Sequence, residues 1–121
     1  MSGRQSGIDI ARAYGLGAPE GEYRILVDRL WPRGVAKANL KPAAWLKELA
    51  PSTTLRKWFA HRADRWDEFR KRYLEELREK AEELAALRKI AATQKVLLIY
   101  GAKDEEHNHA IVLRDVLRKK E

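Results

Sequence analysis

Arg24-Ile25-Leu26-Val27-Asp28-Arg29-Leu30-Trp31-Pro32-Arg33-Gly34 is the stretch on which the fold turns. Its apolar centre, Ile25-Leu26-Val27, is too short for a helix and does not alternate with polar residues. It therefore reads as a strand covered on both faces, and Pro32 and Gly34 break the ladder behind it. Lys95 to Tyr100, centred on Val96-Leu97-Leu98-Ile99, repeats the pattern and ends at Gly101-Ala102-Lys103-Asp104. Helical sequence lies between the two runs, which implies a parallel pair joined by a right-handed crossover. Ile8 to Tyr14 alternates apolar with polar or small residues, as a half-buried or edge strand does. The Gly15 to Gly21 connection, with Pro19, is too short for a helical crossover, so the first two strands either form a hairpin or are not neighbours. The expected fold is α/β: a small, mostly parallel sheet of two buried central strands plus an N-terminal strand, packed with about four helices, one of them long.

The helices are read from caps and stripes. Val35 to Lys41 reads as a linker, and Pro42 suits the first position of a short helix carrying Trp45, Leu46 and Leu49. Pro51 ends that helix, and Ser52 caps a second with Leu55, Trp58 and Phe59 on one face, closing near His61. Together the two look like a lid. Asp64 is the expected cap of the long helix, whose stripe runs Trp66, Phe69, Tyr73, Leu77, Leu84, Leu87 and Ala91, with a kink near Ala81. So small a domain must use that stripe as core. Asp104 is the expected cap of a last helix from Glu105 to about Lys119. Met1 to Gly7 has no periodicity and reads as a loose terminus.

With 121 residues the chain makes one domain, residues 1–121, with a single modest core to which ten aromatic residues contribute. No apolar stretch approaches the roughly 20 residues of a membrane helix, and no signal-peptide pattern opens the chain, so a cytoplasmic protein without membrane partners is expected. Zero cysteines exclude disulfides, thiolate metal ligands and a cysteine nucleophile. The 36% charged content, with few thermolabile residues, points to a thermophilic source. A net charge of +7 favours anionic partners, although a solvated basic surface is the commoner origin of such a value.

The candidate site is the carboxyl end of the two buried strands, where ligands bind in open α/β sheets. Asp28 and Arg29 sit at the end of the first, either as site residues or as an ordinary ion pair. Arg33, in a Pro-Arg-Gly turn, suits bidentate recognition of carboxylate or phosphate, and Trp31 beside it is the tryptophan placed to line a pocket. At the second strand's end, a turn and capped helix start would offer backbone donors to an anion, beside Lys103, His107, Asn108 and His109. If the last helix buries Val112, Leu113, Val116 and Leu117, His109 falls on that face and His107 points away. His109 is then either a core histidine bonded to a backbone carbonyl or an acid–base group oriented by Asp28. No metal site is expected, since histidines two apart on a helix diverge. Arg56, Arg62, Arg65, Arg70 and Arg72 give the helical middle a basic bias, but acidic residues interleave with several of them.

Val27 to Gly34, Leu49-Ala50-Pro51-Ser52, Leu55 to Phe59, Arg65-Trp66, Tyr100 and Ala102 to Ala110 together resemble the YeaO-like branch of the DUF488 superfamily. The resemblance covers nearly the whole chain. It implies a small α/β fold with both motifs in one cleft, and it brings no reaction with it. Some relatives carry a transcription-regulator label, for which this sequence offers no helix-turn-helix. A longer branch of the superfamily has cysteines at the positions of Tyr100 and Asn108 and keeps a histidine at that of His109. Here any chemistry must run through histidine, carboxylate or lysine. The sequence thus supports an anion-binding α/β protein, the ligand being phosphate- or nucleotide-like. His109 and Asp28 are the candidate acid–base pair, and Arg29, Trp31, Arg33, Tyr100, Lys103, His107 and Asn108 the candidate ligand contacts; no cofactor is specified. The alternative is a nucleic-acid-binding or regulatory module using the basic surface.

Overall fold

The computed structural model describes residues 7–119, so most of the expected loose terminus lies outside the described residues. Four strands form one sheet in the order β1-β4-β2-β3: β1 is Gly7–Arg12, β2 Tyr23–Leu26, β3 Ala44–Trp45 and β4 Lys95–Tyr100. Every pairing is parallel. The two consecutive apolar runs are the central strands, adjacent with Ile25 opposite Leu98, and the N-terminal strand is an edge strand on the far side of β4. β1 and β2 are therefore not neighbours, which agrees with the short connection between them.

Side chains of the central strands alternate between two apolar clusters. Ile25, Val27, Val96, Leu98 and Tyr100 face the larger helices, while Leu26 and Ile99 meet Ala13 and Leu40 on the other side. Burial on both faces is why these strands lack polar alternation. The helices are α1 (Lys37–Leu40), α2 (Thr53–Phe59), α3 (Trp66–Leu77), α4 (Ala81–Ala91) and α5 (His109–Arg118). The expected stripe is core: Phe69, Tyr73, Leu77, Leu84, Leu87 and Ala91 are buried. A 3-10 turn at Arg78–Lys80 interrupts it, and α4 starts at the kink position, Ala81. No helix among the described residues is long and apolar enough to cross a membrane.

Three local expectations are corrected. Pro42 does not open a helix. The helix lies earlier, at Lys37–Leu40, within the expected linker, and ends at Lys41 in a left-handed conformation (φ 42°). The chain then runs beside β2, with Ala43 N–H donating to Arg24 O and Leu46 N–H to Leu26 O. Unpaired groups on the outer edge of β2 require partners, and that non-local demand outweighs the helical spacing of Trp45, Leu46 and Leu49. Of the first lid helix only a 3-10 turn at Lys47–Leu49 forms, whereas α2 is present and capped as expected by Ser52, whose Oγ accepts from Leu55 N–H at 3.1 Å.

Asp64 does not cap α3. It sits in a 3-10 turn and pairs with Arg62 at 3.0 Å, and α3 follows Arg65 without a side-chain cap. Asp104 does not cap α5 either. Its Oδ1 closes a turn by accepting from Glu106 and Glu106's neighbour His107, and Asn108 caps the helix instead, accepting from Ile111 N–H at 3.1 Å. Two short polar side chains compete for the same start, and the first is spent on its own turn.

Arg24 is a buried cation (2% exposed) at the sheet's edge. Its guanidinium donates to the carbonyls of Gly17 and Leu40 and pairs with Glu22 at 2.7 Å, so it ties the connection after β1 and the end of α1 to β2. Burial opposes ionisation of Glu22, but hydrogen bonds led by Arg24 outweigh it and hold the carboxyl below its usual range.

Candidate functional site

The turns after β2 and β4 and the last turn of α2 enclose a cleft of about 480 Å³ at the carboxyl ends of the central strands. Its floor is built by pinning one stretch of backbone from several sides. Val27 N–H donates to Ile99 O, Trp45 Nε1 donates to Asp28 O at 2.8 Å, and Gly101 N–H donates to Asp28 Oδ2 at 2.8 Å. A Cβ at position 101 would stand 2.9 Å from that same oxygen. Any side chain there would push the carboxylate away from the Gly101 N–H.

His109, the first residue of α5, closes the floor. Its Nε2 lies 2.9 Å from Val27 O and 3.2 Å from Asp28 Oδ1. A carbonyl only accepts, so Nε2 carries the hydrogen. That hydrogen is aimed at Val27, which explains how Asp28 Oδ1 is close to the imidazole yet has no hydrogen-bond partner among the described residues, although it is shut off from water. The contact with Asp28 is electrostatic. Nδ1 makes no hydrogen bond with the described residues and is not enclosed, so it is open on the cleft that His109 lines. In the neutral ring this nitrogen accepts. In the imidazolium it donates, with the Asp28 carboxylate as counter-charge. One nitrogen of the His109 ring is thus bonded to a backbone carbonyl, and the other has no hydrogen-bond partner among the described residues.

His107 belongs to the same cleft. It precedes α5, so the helical argument that turned it away does not apply. Its Nδ1 is 2.9 Å from Asp104 Oδ2, and its ring stands edge-on to Trp66 at 5.4 Å. The Asp104 carboxyl is held below its ordinary value, first by Glu106 N–H and then by His107. It is therefore ionised at neutral pH and fixes the hydrogen on Nδ1.

The arginines divide sharply by their partners. Arg29 donates to Pro51 O at 3.2 Å and Ala50 O at 3.3 Å, so it staples β2's exit to the segment before α2. Arg33 lines the cleft and is exposed, and its guanidinium makes no hydrogen bond or ion pair with the described residues. Arg56, one of the basic residues of the helical middle, lines the same cleft, and its guanidinium likewise makes no hydrogen bond or ion pair with the described residues. The others are engaged: Arg62 with Asp64, Arg72 with Glu68, Arg70 with Asp115, and Arg65 with the Trp58 carbonyl.

Trp31 lines the cleft, fixed by its Nε1–H to Val35 O at 2.7 Å and by an edge contact with Trp45. Asn108 lines it too, but both ends of its amide are taken, by Ile111 N–H and by Asp104 O. Tyr100 and Lys103 do not reach it. Tyr100 points into the helix-covered core, where burial, and then Glu105, raise its phenol above the usual value. Of the backbone donors expected around the helix start, those of Glu106 and His107 are taken by Asp104 and that of Ile111 by Asn108.

Sequence reasoning missed Tyr14, Leu30, Phe59 and Phe69 as lining residues, and read His61 only as the close of the second short helix. His61 is held at the cleft by two successive left-handed residues, Ala60 (φ 48°) and His61 (φ 58°), without a glycine to announce the bend. Among the described residues no group of three or more His, Asp or Glu is arranged to hold a metal ion.

A family model described as the inactive DUF488-N3 subclade matches residues 7–121. The chain is 45% identical over 111 residues to the Escherichia coli protein named "Uncharacterized protein YeaO", covering 92% of this chain and 96% of that one. It is 39% identical over 114 residues to "Uncharacterized protein Mb3100c" of Mycobacterium bovis and to "Uncharacterized protein Rv3073c" of Mycobacterium tuberculosis, covering 94% of this chain and 96% of each relative. No solved structure matches the chain.

Proposed function

The chain belongs to the DUF488-N3i family, the inactive DUF488-N3 subclade, and on that premise we propose that it binds a small anion of phosphate or carboxylate type in the cleft at the ends of β2 and β4. The observation that carries this reading is the partition of the arginines. Arg33 and Arg56 have no hydrogen-bond or ion-pair partner among the described residues and line one cavity with His109, whereas Arg62, Arg65, Arg70 and Arg72 of the helical middle each have a local partner. Guanidinium forks suit such oxyanions, and a partly desolvated cavity strengthens each contact.

Asp28 is the one carboxylate that lines the cleft among the described residues, and its Oδ2 is turned to the Gly101 N–H. In this reading the His109 ring, held by Val27 O and beside Asp28, meets the anion through Nδ1. That pair is also what acid–base chemistry would use. The "inactive" description of the family favours recognition without turnover. The nucleic-acid alternative draws less support, since four of the five arginines it relies on have local partners.

Thermal unfolding across a panel of phosphates, nucleotides and organic acids tests the proposal. A bound anion should raise the melting temperature with the logarithm of its excess over Kd, by about 2.7 kcal/mol of stability at a hundredfold excess. Arg33→Ala should abolish the rise. A ligand-induced rise that survives Arg33→Ala together with Arg56→Ala would place the ligand elsewhere, and no rise with any compound would sink the reading.

A further inference from the structure

The cleft is too large and too apolar at its mouth for an inorganic ion. At about 480 Å³ it holds roughly 16 waters at about 30 Å³ each, far more than a bare phosphate displaces. Two large hydrophobic residues are exposed among the described residues, Leu30 (65%) and Tyr14 (38%). Isolated exposed side chains of this kind need no explanation, but these two come from segments before and after β2 and both line the same cavity.

The Tyr14 ring is braced at the rim. Its hydroxyl donates to Arg33 O at 2.9 Å, and the Arg12 guanidinium stacks on it at 4.8 Å. The apolar lining continues inward through Trp31, Phe59 and Phe69. Phe59 and Phe69 are stacked at 4.3 Å and nearly fully buried, so the inner wall is a firm aromatic surface. Two exposed cations, an imidazole at the floor and the exposed apolar surface of Leu30 and Tyr14 around one cavity define an amphiphilic site.

Resting on the anion-binding reading above, we infer that the ligand is an organic anion: its charged head meets Arg33, Arg56 and His109, and an apolar arm, a ring or short hydrocarbon, leaves the cleft across Leu30 and Tyr14. Covering Leu30 with the arm removes apolar surface from water, and this term is absent for an inorganic head group.

Calorimetric titration of the whole chain with inorganic phosphate, phenyl phosphate and phenylacetate separates the parts. Phenyl phosphate should bind about tenfold more tightly than inorganic phosphate, the amount expected from burying a small apolar group. Leu30→Ser, at an exposed position where folding is not at stake, should weaken the ring-bearing ligand by roughly three- to tenfold and leave inorganic phosphate unchanged. The same Leu30 dependence with phenylacetate, and not with phenyl phosphate, would assign a carboxylate head to the same apolar arm. Equal affinity for phosphate with and without the ring, or an equal effect of Leu30→Ser on both, overturns the inference while the anion site stands. If none of the three binds, the anion reading falls and takes this inference with it.

Discussion

Replacing Gly101 by alanine tests the architecture of the cleft floor with one methyl group. The new Cβ would lie 2.9 Å from Asp28 Oδ2, closer than atoms tolerate, while Pro32 at 3.6 Å and Tyr14 at 3.8 Å make ordinary contact. The carboxylate must therefore retreat from Gly101 N–H, with which it makes a 2.8 Å hydrogen bond. A hydrogen bond to a charged group contributes about 1.5–3 kcal/mol, and Gly→Ala restores about 0.4–1 kcal/mol by restricting the unfolded chain. The expected net loss is about 1–2 kcal/mol, or roughly 4–8 °C in Tm for a domain of this size. Urea unfolding followed by fluorescence of the four tryptophans measures it. In an Asp28→Ala background the obstacle is gone, and the same substitution should become neutral or slightly stabilising. A neutral Gly101→Ala in the unaltered chain, or an undiminished penalty in the Asp28→Ala background, would refute the reasoning.

Arg29→Ala should cost about 1–2 kcal/mol in the same urea assay, because two main-chain carbonyls lose a charged donor, whereas Arg33→Ala should stay within about 0.5 kcal/mol of the parent. Asp104 supplies a pH dependence. Its folded carboxyl is held below the ordinary 3.8, so the unfolded chain takes up this proton first, and the contribution is present above that value and lost as pH falls through the lower folded one. Melting temperatures of the parent and Asp104→Ala should therefore differ near neutral pH and converge on acidification below about pH 4; a gap that widens on acidification would contradict the assignment. Tyr73→Phe should destabilise by about 1–2 kcal/mol in thermal melts, since the Leu49 carbonyl loses the buried hydroxyl that donates to it.

What the sequence disclosed follows from how local each signal was. β2 and β4 announce themselves because burial on both faces leaves consecutive apolar residues and no ambiguity of period. Asp28, Arg33 and His109 were legible as neighbours because residues just past the ends of adjacent parallel strands must converge. β3 was hidden, since two residues after a proline carry no strand signature and only β2's unpaired edge decides their conformation. The start of α5 was misread because Asp104 and Asn108 are equally good caps in sequence, and only the turn that engages Asp104 separates them. Tyr100 sits beside the site in sequence but alternation sends its side chain into the core. Arg56 and His61 reach the cleft through the packing of α2 on α3, a long-range contact that no local spacing encodes.

The central claim is that unpaired cations at the carboxyl ends of β2 and β4 bind an anion. A ¹H–¹⁵N NMR titration with phenyl phosphate tests it most directly. The account predicts saturable shifts at the amides of Arg33, Gly101 and His109 and at the His109 ring, all lost in the Arg33→Ala, Arg56→Ala double variant. Shifts confined to the exposed face of α3 around Arg70 and Arg72, or none at millimolar ligand, would contradict it.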